Sequence, residues 1–151
     1  GRCIEALRDS GLEEPAKGAI DGGKPFLGIC VGMQLLYDGS DEAPDHKGMG
    51  VLPGRVRLLP DGVKRPQMQW NRLEHRATPM LAGLDDPVWM YFVHSYAPEP
   101  SDDVVATCDY GGPVVAAVVR ANLWATQFHP EKSGAAGLRL LANFVAAVSG
   151  D

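Results

Sequence analysis

The sequence predicts a single α/β domain, on three observations. Short, almost wholly apolar segments typical of buried strands alternate with amphipathic segments typical of helices. Segment 25–29 is apolar on both faces, which suits a strand in the middle of a parallel sheet covered by helices. The chain has 151 residues, 45% of them hydrophobic, which is enough for one compact core, and it shows no repeat or convincing domain boundary.

The first third of the chain predicts two helices, a strand and a third helix. Helical periodicity covers 3–7 and stops at Ser10-Gly11, and a second short helix runs to Ile20. Strand 25–29 follows the break at Gly22-Gly23. The next helix has its apolar positions at Met33, Leu35, Leu36 and Tyr37 and ends at Asp38-Gly39-Ser40.

The rest of the chain predicts mainly strands and one long helix. Segment 51–59 alternates as a half-exposed strand, and further strands are expected at 89–94, 104–108, 114–120 and 123–128. Asn122 between the last two strands predicts a tight hairpin-like turn. Segment 137–148 is the clearest helix, with an apolar stripe and two apolar neighbours: Leu138, Leu141, Val145 and Val148, with Leu140 and Phe144 beside them.

Composition excludes several classes of function. The net charge of −5, with lysine and arginine scattered, argues against binding a phosphate backbone through a basic face. No apolar run approaches the ~20 residues of a membrane span. The three cysteines are widely spaced and show no metal-ligand spacing. We therefore expect a cytoplasmic protein in a reducing compartment, with no structural metal and no cofactor.

Cys30 lies where a strand passes into a helix, between Gly28 and Gly32. Gly-x-Cys-x-Gly in that context predicts a nucleophile elbow, a turn so tight that flanking β-carbons would collide with backbone. The neighbouring helix N-terminus favours thiolate over thiol. The alternative is a buried structural cysteine at a strand end.

A second chemical motif, His129-Pro130-Glu131, follows an apolar strand near the other end of the chain. Pro130 favours extended geometry at His129, so that His129 and Glu131 face the same side. A carboxylate beside an imidazole fixes its tautomer, and the imidazole can then deprotonate a thiol. Taken alone, the motif is more typical of a surface turn with one solvated acid. Because both motifs follow apolar strands, we expect them to meet at one edge of a parallel sheet.

With these residues in place, the sequence resembles class I (triad-type) glutamine amidotransferases, and within them the glutaminase subunits of imidazole glycerol phosphate synthase. The resemblance covers essentially the whole chain. It is carried by GKPFLGICVGMQLLYDGSDE, GMGVLPGRV, PQMQWNRL, YFVHSY and TQFHPEKSGAAGLRLLANF. It implies a flavodoxin-like, three-layer fold, in which a mixed sheet has helices on both faces.

The resemblance implies a catalytic triad. Cys30 attacks the side-chain amide carbon of glutamine, His129 takes the thiol proton and passes it to the leaving ammonia, and Glu131 orients His129. A γ-glutamyl thioester forms and is hydrolysed to glutamate. The backbone N–H of Val31 is one oxyanion donor.

The resemblance also implies a set of substrate-binding positions. Gln34 lies one helical turn beyond Cys30 and is expected to hydrogen-bond the bound glutamine, although a solvated polar residue is the alternative. Glu42 matches the acid aimed at the substrate α-amino group. The remaining members of the set are Gly28, Val31, His94, Ser95 and Tyr96, and His94 alone would be interpreted as a core histidine with satisfied ring nitrogens.

The implied partner is a cyclase with the (β/α)8 barrel fold, which receives the ammonia and forms a heterodimer with the glutaminase. Trp70, Asn71, Tyr91 and Lys132 are expected at that interface. Core packing is the alternative for Tyr91, and a solvated lysine is the alternative for Lys132. The family usually has His and Gly where this chain has Gln67 and Gln69, so we expect a different docking geometry or coupling.

Two further expectations concern the extent of the chain and rival functions. Family members carry roughly one more βαβ-sized stretch before the position of Gly1, so the domain, residues 1–151, is expected to be truncated at its N-terminus. The rivals are a non-catalytic regulatory scaffold, a glutaminase subunit of another amidotransferase such as an anthranilate-type enzyme, and a γ-glutamyl hydrolase.

Overall fold

Ten strands and four helices make up residues 1–150, the part of the chain described by the structure, which is a computed structural model. The helices are α1 (Arg2–Asp9), α2 (Glu13–Asp21), α3 (Val31–Leu35) and α4 (Gly134–Ser149). The strands are β1 (Phe26–Ile29), β2 (Tyr37–Ser40), β3 (Leu52–Leu58), β4 (Gln67–Arg72), β5 (Glu74–His75), β6 (Trp89–His94), β7 (Tyr96–Pro98), β8 (Val104–Asp109), β9 (Pro113–Arg120) and β10 (Leu123–Thr126). No helix within these 150 residues is both long and apolar enough to cross a membrane.

The largest sheet is mixed and has the strand order β1-β10-β9-β8-β5. β1 runs parallel to β10, and the other pairs are antiparallel. The expected hairpin joins β9 and β10, where Ala121 has a positive φ of 50° and the Asn122 amide donates to the carbonyls of Ile20 and Lys24 at 3.0 and 2.6 Å. A three-stranded sheet, β2-β3-β7, and a two-stranded sheet, β4-β6, complete the fold.

Helices cover both faces of the large sheet, as expected for a three-layer domain. Alternate side chains of β10 point to opposite sides, so that Trp124 belongs to one hydrophobic cluster and Leu123 and Ala125 belong to another. The Trp124 cluster contains Leu140 of α4. The Leu123 cluster contains apolar residues of α1, α2 and α3: Ile4, Ile20 and Met33.

The position of β1 corrects one prediction. Within residues 1–150, β1 pairs only with β10, so it lies at the end of this strand order and not in its middle. Its two faces are nevertheless covered, because Phe26 packs against the Leu123 cluster and Leu27 against the Trp124 cluster. An apolar run reports burial on both faces and carries no information on the number of paired neighbours.

The end of α3 corrects a second prediction. The helix stops at Leu35, and Tyr37 and the expected stop residues 38–40 form β2. Contacts from a distant loop replace further helical bonds, since the Leu35 carbonyl accepts from Met49 N at 2.8 Å and the Leu36 carbonyl from Leu52 N at 2.9 Å. These bonds join residues more than ten positions apart, so periodicity could not reveal them.

The buried face of α4 differs from the predicted stripe. Leu138, Val145 and Val148 of the stripe are exposed, whereas Gly137 and Leu140 are buried and the Phe144 ring packs edge-on against Trp124. The helix is apolar over so much of its circumference that the sequence does not identify which side faces the sheet.

This orientation of α4 predicts different costs for two identical substitutions. Leu140→Ala should lower the free energy of unfolding by about 3 kcal/mol, because Leu140 is fully buried and its truncation leaves a cavity. Leu138→Ala, the matched control at a position that is 66% exposed, should cost less than about 0.5 kcal/mol. Urea denaturation of both variants measures the difference, and equal losses would contradict the assigned face.

Candidate active site

Cys30 has the strained backbone of a nucleophile elbow. It joins β1 to α3 with φ 51° and ψ −106°, in a region that a residue with a β-carbon occupies at a cost of about 1–3 kcal/mol. Its N–H donates to the Thr126 carbonyl of β10 at 2.7 Å, and its carbonyl accepts from Gln34 N at 3.1 Å. Both neighbouring elements therefore hold the turn in place.

The two glycines beside Cys30 differ in what they permit. A β-carbon on Gly28 would lie 3.1 Å from the backbone of Gly32 and 3.2 Å from Leu36 Cδ1, so Gly28 allows the strand and helix to approach. A β-carbon on Gly32 would point into open space. The predicted steric role therefore belongs to Gly28 alone, and Gly32 contributes through its close backbone.

The Cys30 sulfur is held by neutral groups. Gln127 Nε2 donates to it at 3.6 Å, and the Val93 carbonyl lies 4.0 Å away. Burial raises the pKa of the Cys30 thiol; the Val31 N–H and the Gln127 amide oppose this rise, and Glu131 adds to it. The helix N-terminus does favour thiolate, as expected, but burial outweighs it, and the resting group is a thiol.

His129 and Glu131 form the expected pair. His129 Nδ1 lies 2.6 Å from Glu131 Oε1, and the His129 backbone is extended. Glu131 itself is in a 3₁₀ turn, Pro130–Lys132, so the pair forms across the start of this turn rather than along an extended segment. An Nδ1–H that donates to the carboxylate leaves Nε2 free to act as a base.

The elbow and the His129 segment lie at the same sheet edge. Ile29 is the register partner of Thr126, so Cys30 and the residues after β10 leave the sheet side by side. Within residues 1–150 no hydrogen bond joins the Cys30 sulfur to the His129 ring. The charges of Glu131 and Lys132, which follow His129, nevertheless both act on the pKa of the Cys30 thiol. The segment that carries His129 and Glu131 therefore lies within electrostatic reach of the sulfur, without a hydrogen bond between Cys30 and His129.

Tyr91 and Ser133 anchor the His129 segment. His129 N donates to the Tyr91 carbonyl at 3.0 Å, the Ser133 hydroxyl donates to the His129 carbonyl at 2.6 Å, and Tyr91 N donates to Ser133 Oγ at 3.0 Å. β6 therefore sets the position of the candidate base through main-chain bonds. Sequence reasoning assigned no role to Ser133.

A cavity of about 310 Å³ opens beside the elbow. Three of the expected substrate-binding residues line it, Val31, Gln34 and Glu42. Its volume is at the lower end of the range usual for small-molecule sites. Gly28, His94, Ser95 and Tyr96 lie outside its lining, and His46, which received no role from the sequence, is part of the wall and pairs with Glu5 at 2.8 Å.

His94 lies in a buried polar network behind the site. Its Nδ1 faces the Tyr96 carbonyl and its Nε2 faces Gln67 Oε1, both at 2.8 Å. Burial lowers the pKa of His94, so the ring is neutral and has one N–H, which donates to Tyr96. The unprotonated Nε2 is then an acceptor. A half turn of the Gln67 amide, which exchanges its oxygen and nitrogen, would give this acceptor an N–H donor. The interpretation of His94 as a core histidine therefore fits its side chain.

The residues expected to bind a partner divide into two groups. Trp70 is 47% exposed and packs edge-on against Tyr91, with ring centroids 6.1 Å apart, and Lys132 is exposed. The Asn71 side chain instead forms hydrogen bonds with backbone groups of the same chain. Its Nδ2 donates to the Asp109 carbonyl at 2.9 Å, and its Oδ1 accepts from Arg72 N at 2.8 Å.

The two unusual glutamines of β4 also separate. Gln69 is exposed beside Trp70, as a docking residue should be, whereas Gln67 is fully buried and contacts His94. Gln67 therefore belongs to the interior, and only Gln69 can alter contacts with a partner. Alternation along β4 could not have revealed this difference, because residues two positions apart lie on the same face of a strand.

A cysteine in a strained elbow, next to a histidine–carboxylate pair on the neighbouring parallel strand, defines a cysteine-dependent hydrolase site on an α/β fold. Residues 8–148 match the family model "Glutamine amidotransferase class-I". The chain belongs to the class-I glutamine amidotransferase family.

Relatives within this family share one name. The chain is 46% identical over 151 residues to "Imidazole glycerol phosphate synthase subunit HisH" of Dehalococcoides mccartyi, covering 98% of this chain and 74% of that protein. It is 51% identical over 149 residues to the protein of the same name from Deinococcus radiodurans, covering 95% of this chain and 69% of that protein. A third protein of that name, from Methanothermobacter thermautotrophicus, is 52% identical over 137 residues, covering 89% and 69%.

Solved structures show the same fold. The structure of a protein described as a glutamine amidotransferase superposes with a TM-score of 0.70 at 21% identity, covering 98% of this chain and 73% of that one. A glutamine amidotransferase from Thermotoga maritima superposes with a TM-score of 0.60 at 20% identity, covering 91% and 52%. The predicted fold class is confirmed.

Proposed function

We propose that the chain is the glutaminase subunit of imidazole glycerol phosphate synthase, which hydrolyses glutamine to glutamate and ammonia. The observation that supports this proposal is that Cys30, in its strained elbow, and the segment with the His129–Glu131 pair follow two paired parallel strands of one sheet. The relatives named above, at 46–52% identity, support the histidine-pathway subunit over other amidotransferases.

The proposed chemistry assigns one task to each member of the triad. Cys30 attacks the side-chain amide carbon of glutamine as His129 Nε2 takes its proton, and Glu131 stabilises the imidazolium through Nδ1–H. His129 then protonates the departing ammonia, leaving a γ-glutamyl thioester. Water activated by the same ring hydrolyses the thioester, and the Val31 N–H stabilises the oxyanion.

Substrate recognition is assigned to the cavity beside the elbow. Glu42 supplies a carboxylate for the α-amino group of glutamine, and Gln34, on the helix that follows Cys30, lines the cavity wall. The Gln34 Nε2 atom is already bound to Tyr96 O and Gln127 Oε1, each at 3.0 Å. Its carbonyl oxygen is therefore the atom that we assign to the substrate.

The resting state of the site fits an enzyme that a partner activates. The buried thiol has a raised pKa and has no hydrogen bond to the His129 ring. A movement of the His129 segment that brings its ring to the sulfur would complete the triad. Because Tyr91 holds His129 N and contacts Trp70, a partner bound over Trp70 and Tyr91 would act one hydrogen bond away from the base.

We assign the partner surface to the exposed side of β4 and β6. Trp70 and Lys132 belong to it, together with Met68, which is 62% exposed. The partner is the (β/α)8 cyclase subunit. It takes ammonia directly, so that the ammonia does not equilibrate with water and become ammonium.

The three cysteines are free thiols, which fits a cytoplasmic location.

An activity assay in the presence of a cyclase subunit tests the assignment. With the cyclase and its phosphoribulosyl-formimino-aminoimidazole carboxamide substrate, glutamine should yield imidazole glycerol phosphate and glutamate in equal amounts. Liquid chromatography with mass detection measures both products.

Two controls sharpen this test. An ammonium salt at high pH should support the cyclase without the glutaminase, which shows that the cyclase itself is competent. Glutamine hydrolysis that runs at the same rate without any partner would contradict the assignment and favour a γ-glutamyl hydrolase. Stimulation by an anthranilate synthase partner, with none by the cyclase, would point to a different amidotransferase.

A further inference from the structure

Gln127 is a fully buried polar residue at the exit of β10, two positions before His129. Its backbone N–H donates to the Ala116 carbonyl of β9 at 2.8 Å. Its side-chain amide contacts two parts of the site: Nε2 donates to Cys30 Sγ at 3.6 Å, and Oε1 accepts from Gln34 Nε2 at 3.0 Å. One rigid amide thus joins the nucleophile to a residue that lines the substrate cavity.

We propose that Gln127 is a positioning residue, which fixes the Cys30 sulfur and the Gln34 side chain relative to each other for attack on glutamine. This inference rests on the proposed glutaminase function and extends it to a residue outside the triad. It assigns a role in the reaction to an amide that contacts no substrate.

The orientation of the Gln127 amide is determined by its partners. Gln34 Nε2 donates to Gln127 Oε1 and also to the Tyr96 carbonyl, so Gln34 turns its NH₂ group toward Gln127. Gln127 must then meet Gln34 with its oxygen and present its own NH₂ group to the sulfur. A half turn of the Gln127 amide would place two NH₂ groups together and leave a buried carbonyl against sulfur.

The burial of this amide supports a role beyond packing. A buried amide costs about 1–3 kcal/mol unless its hydrogen bonds are made, and an apolar side chain would fill the same space without that cost. At this position the amide instead satisfies the sulfur and Gln34 together. An N–H donor favours the thiolate that forms during attack, whereas burial favours the thiol.

Other charged groups near the sulfur set the background for any pH measurement. On the turn after β10, Glu131 raises and Lys132 lowers the pKa of Cys30. His129 precedes them, and His94 on β6, whose pKa is lowered by burial, is neutral. None of these groups is replaced in a Gln127 variant, so a shift of the Cys30 profile reports the change at position 127.

Two substitutions separate the two contacts of Gln127. Gln127→Glu keeps an oxygen acceptor for Gln34 but replaces the N–H donor to sulfur by a negative oxygen. Gln127→Met has a similar shape and loses both contacts without adding charge. Ala142→Glu, on an exposed position of α4, adds the same charge away from the site and serves as the matched control.

The test measures carboxamidomethylation of Cys30 by iodoacetamide against pH, followed by mass spectrometry of the Cys30 peptide. In Gln127→Glu the midpoint should rise by about one pH unit, and the rate at pH 7.5 should fall about tenfold relative to the unsubstituted protein. Ala142→Glu should leave the profile unchanged. The exposed Cys3 is an internal control, whose profile should be the same in every variant.

Steady-state kinetics with the cyclase partner complete the test. Gln127→Glu should lower kcat with little change in KM, because Gln34 keeps its acceptor, whereas Gln127→Met should also raise KM. A Cys30 profile in Gln127→Glu that matches Ala142→Glu would overturn the inference, and so would unchanged kinetics in Gln127→Met. Failure of the proposed function is distinguishable, since the unsubstituted protein would then release no ammonia while the alkylation profiles still report on Gln127.

Discussion

Replacement of Cys30 by alanine should abolish glutamine-dependent synthesis, lowering glutamate release by at least about 10³-fold. The sulfur is the atom that forms the thioester, and neither other thiol lies in the elbow turn. Cys108 is buried with its pKa raised to about 11, and Cys3 lines the cavity from helix α1. Glutamate release by the complex with the cyclase, measured with an enzyme-coupled assay, gives the effect directly.

The ammonium-dependent reaction is the control for Cys30→Ala. The variant should still dock, because Cys30 is not one of the residues assigned to the partner surface, so the cyclase in the complex should use added ammonium normally. A γ-glutamyl chloroketone should label the unsubstituted protein and not the variant. Hydrolysis retained above about one part in a hundred of the original rate would contradict the assignment of the nucleophile.

Gly137→Ala should strongly destabilise the protein although it lies outside the triad. A β-carbon on Gly137 would overlap the Pro130 carbonyl and lie 2.9 Å from Ser133 Cβ. Backbone atoms cannot rotate aside as a side chain can, so we expect a loss of about 3–4 kcal/mol in the free energy of unfolding. Urea denaturation followed by circular dichroism measures this loss.

Gly18→Ala is the matched control for Gly137→Ala. Gly18 lies in α2, where a β-carbon would contact nothing within 4 Å, so alanine should stabilise the protein by up to about 1 kcal/mol. Equal effects of the two substitutions would show that α4 does not press on the turn after His129. Gly137→Ala should also reduce glutamine hydrolysis, because Pro130 directly follows the candidate base.

The order of strands and helices could largely be predicted from the sequence. The apolar segments 104–108, 114–120 and 123–128 predict strands, with a hairpin-like turn between the last two, and β8, β9 and β10 are adjacent in the sheet. The edge position of β1 and the early end of α3 could not be predicted. Both depend on which distant segments pair with these residues, and periodicity describes only the chain itself.

The candidate triad was predictable because each half has a local cause. Gly28 permits the approach of strand and helix at Cys30, and Pro130 acts on the backbone of His129 next to it. The sequence pattern assigned no role to Gln127. This residue directly follows β10, lies two positions before the candidate base, and contacts the thiol. Its two partners, Cys30 and Gln34, are 97 and 93 residues away.

By itself, the sequence determined the class of fold, the nucleophile turn and the histidine–carboxylate pair, because these follow from residue types a few positions apart. Only the tertiary structure decided that Leu140 rather than Leu138 is buried, that the thiol is protonated at rest, and that Gln127 joins the sulfur to Gln34. Burial and long-range hydrogen bonds depend on how separate elements pack together. Local residue patterns place groups on an element, and the packing of elements sets their electrostatic surroundings and partners.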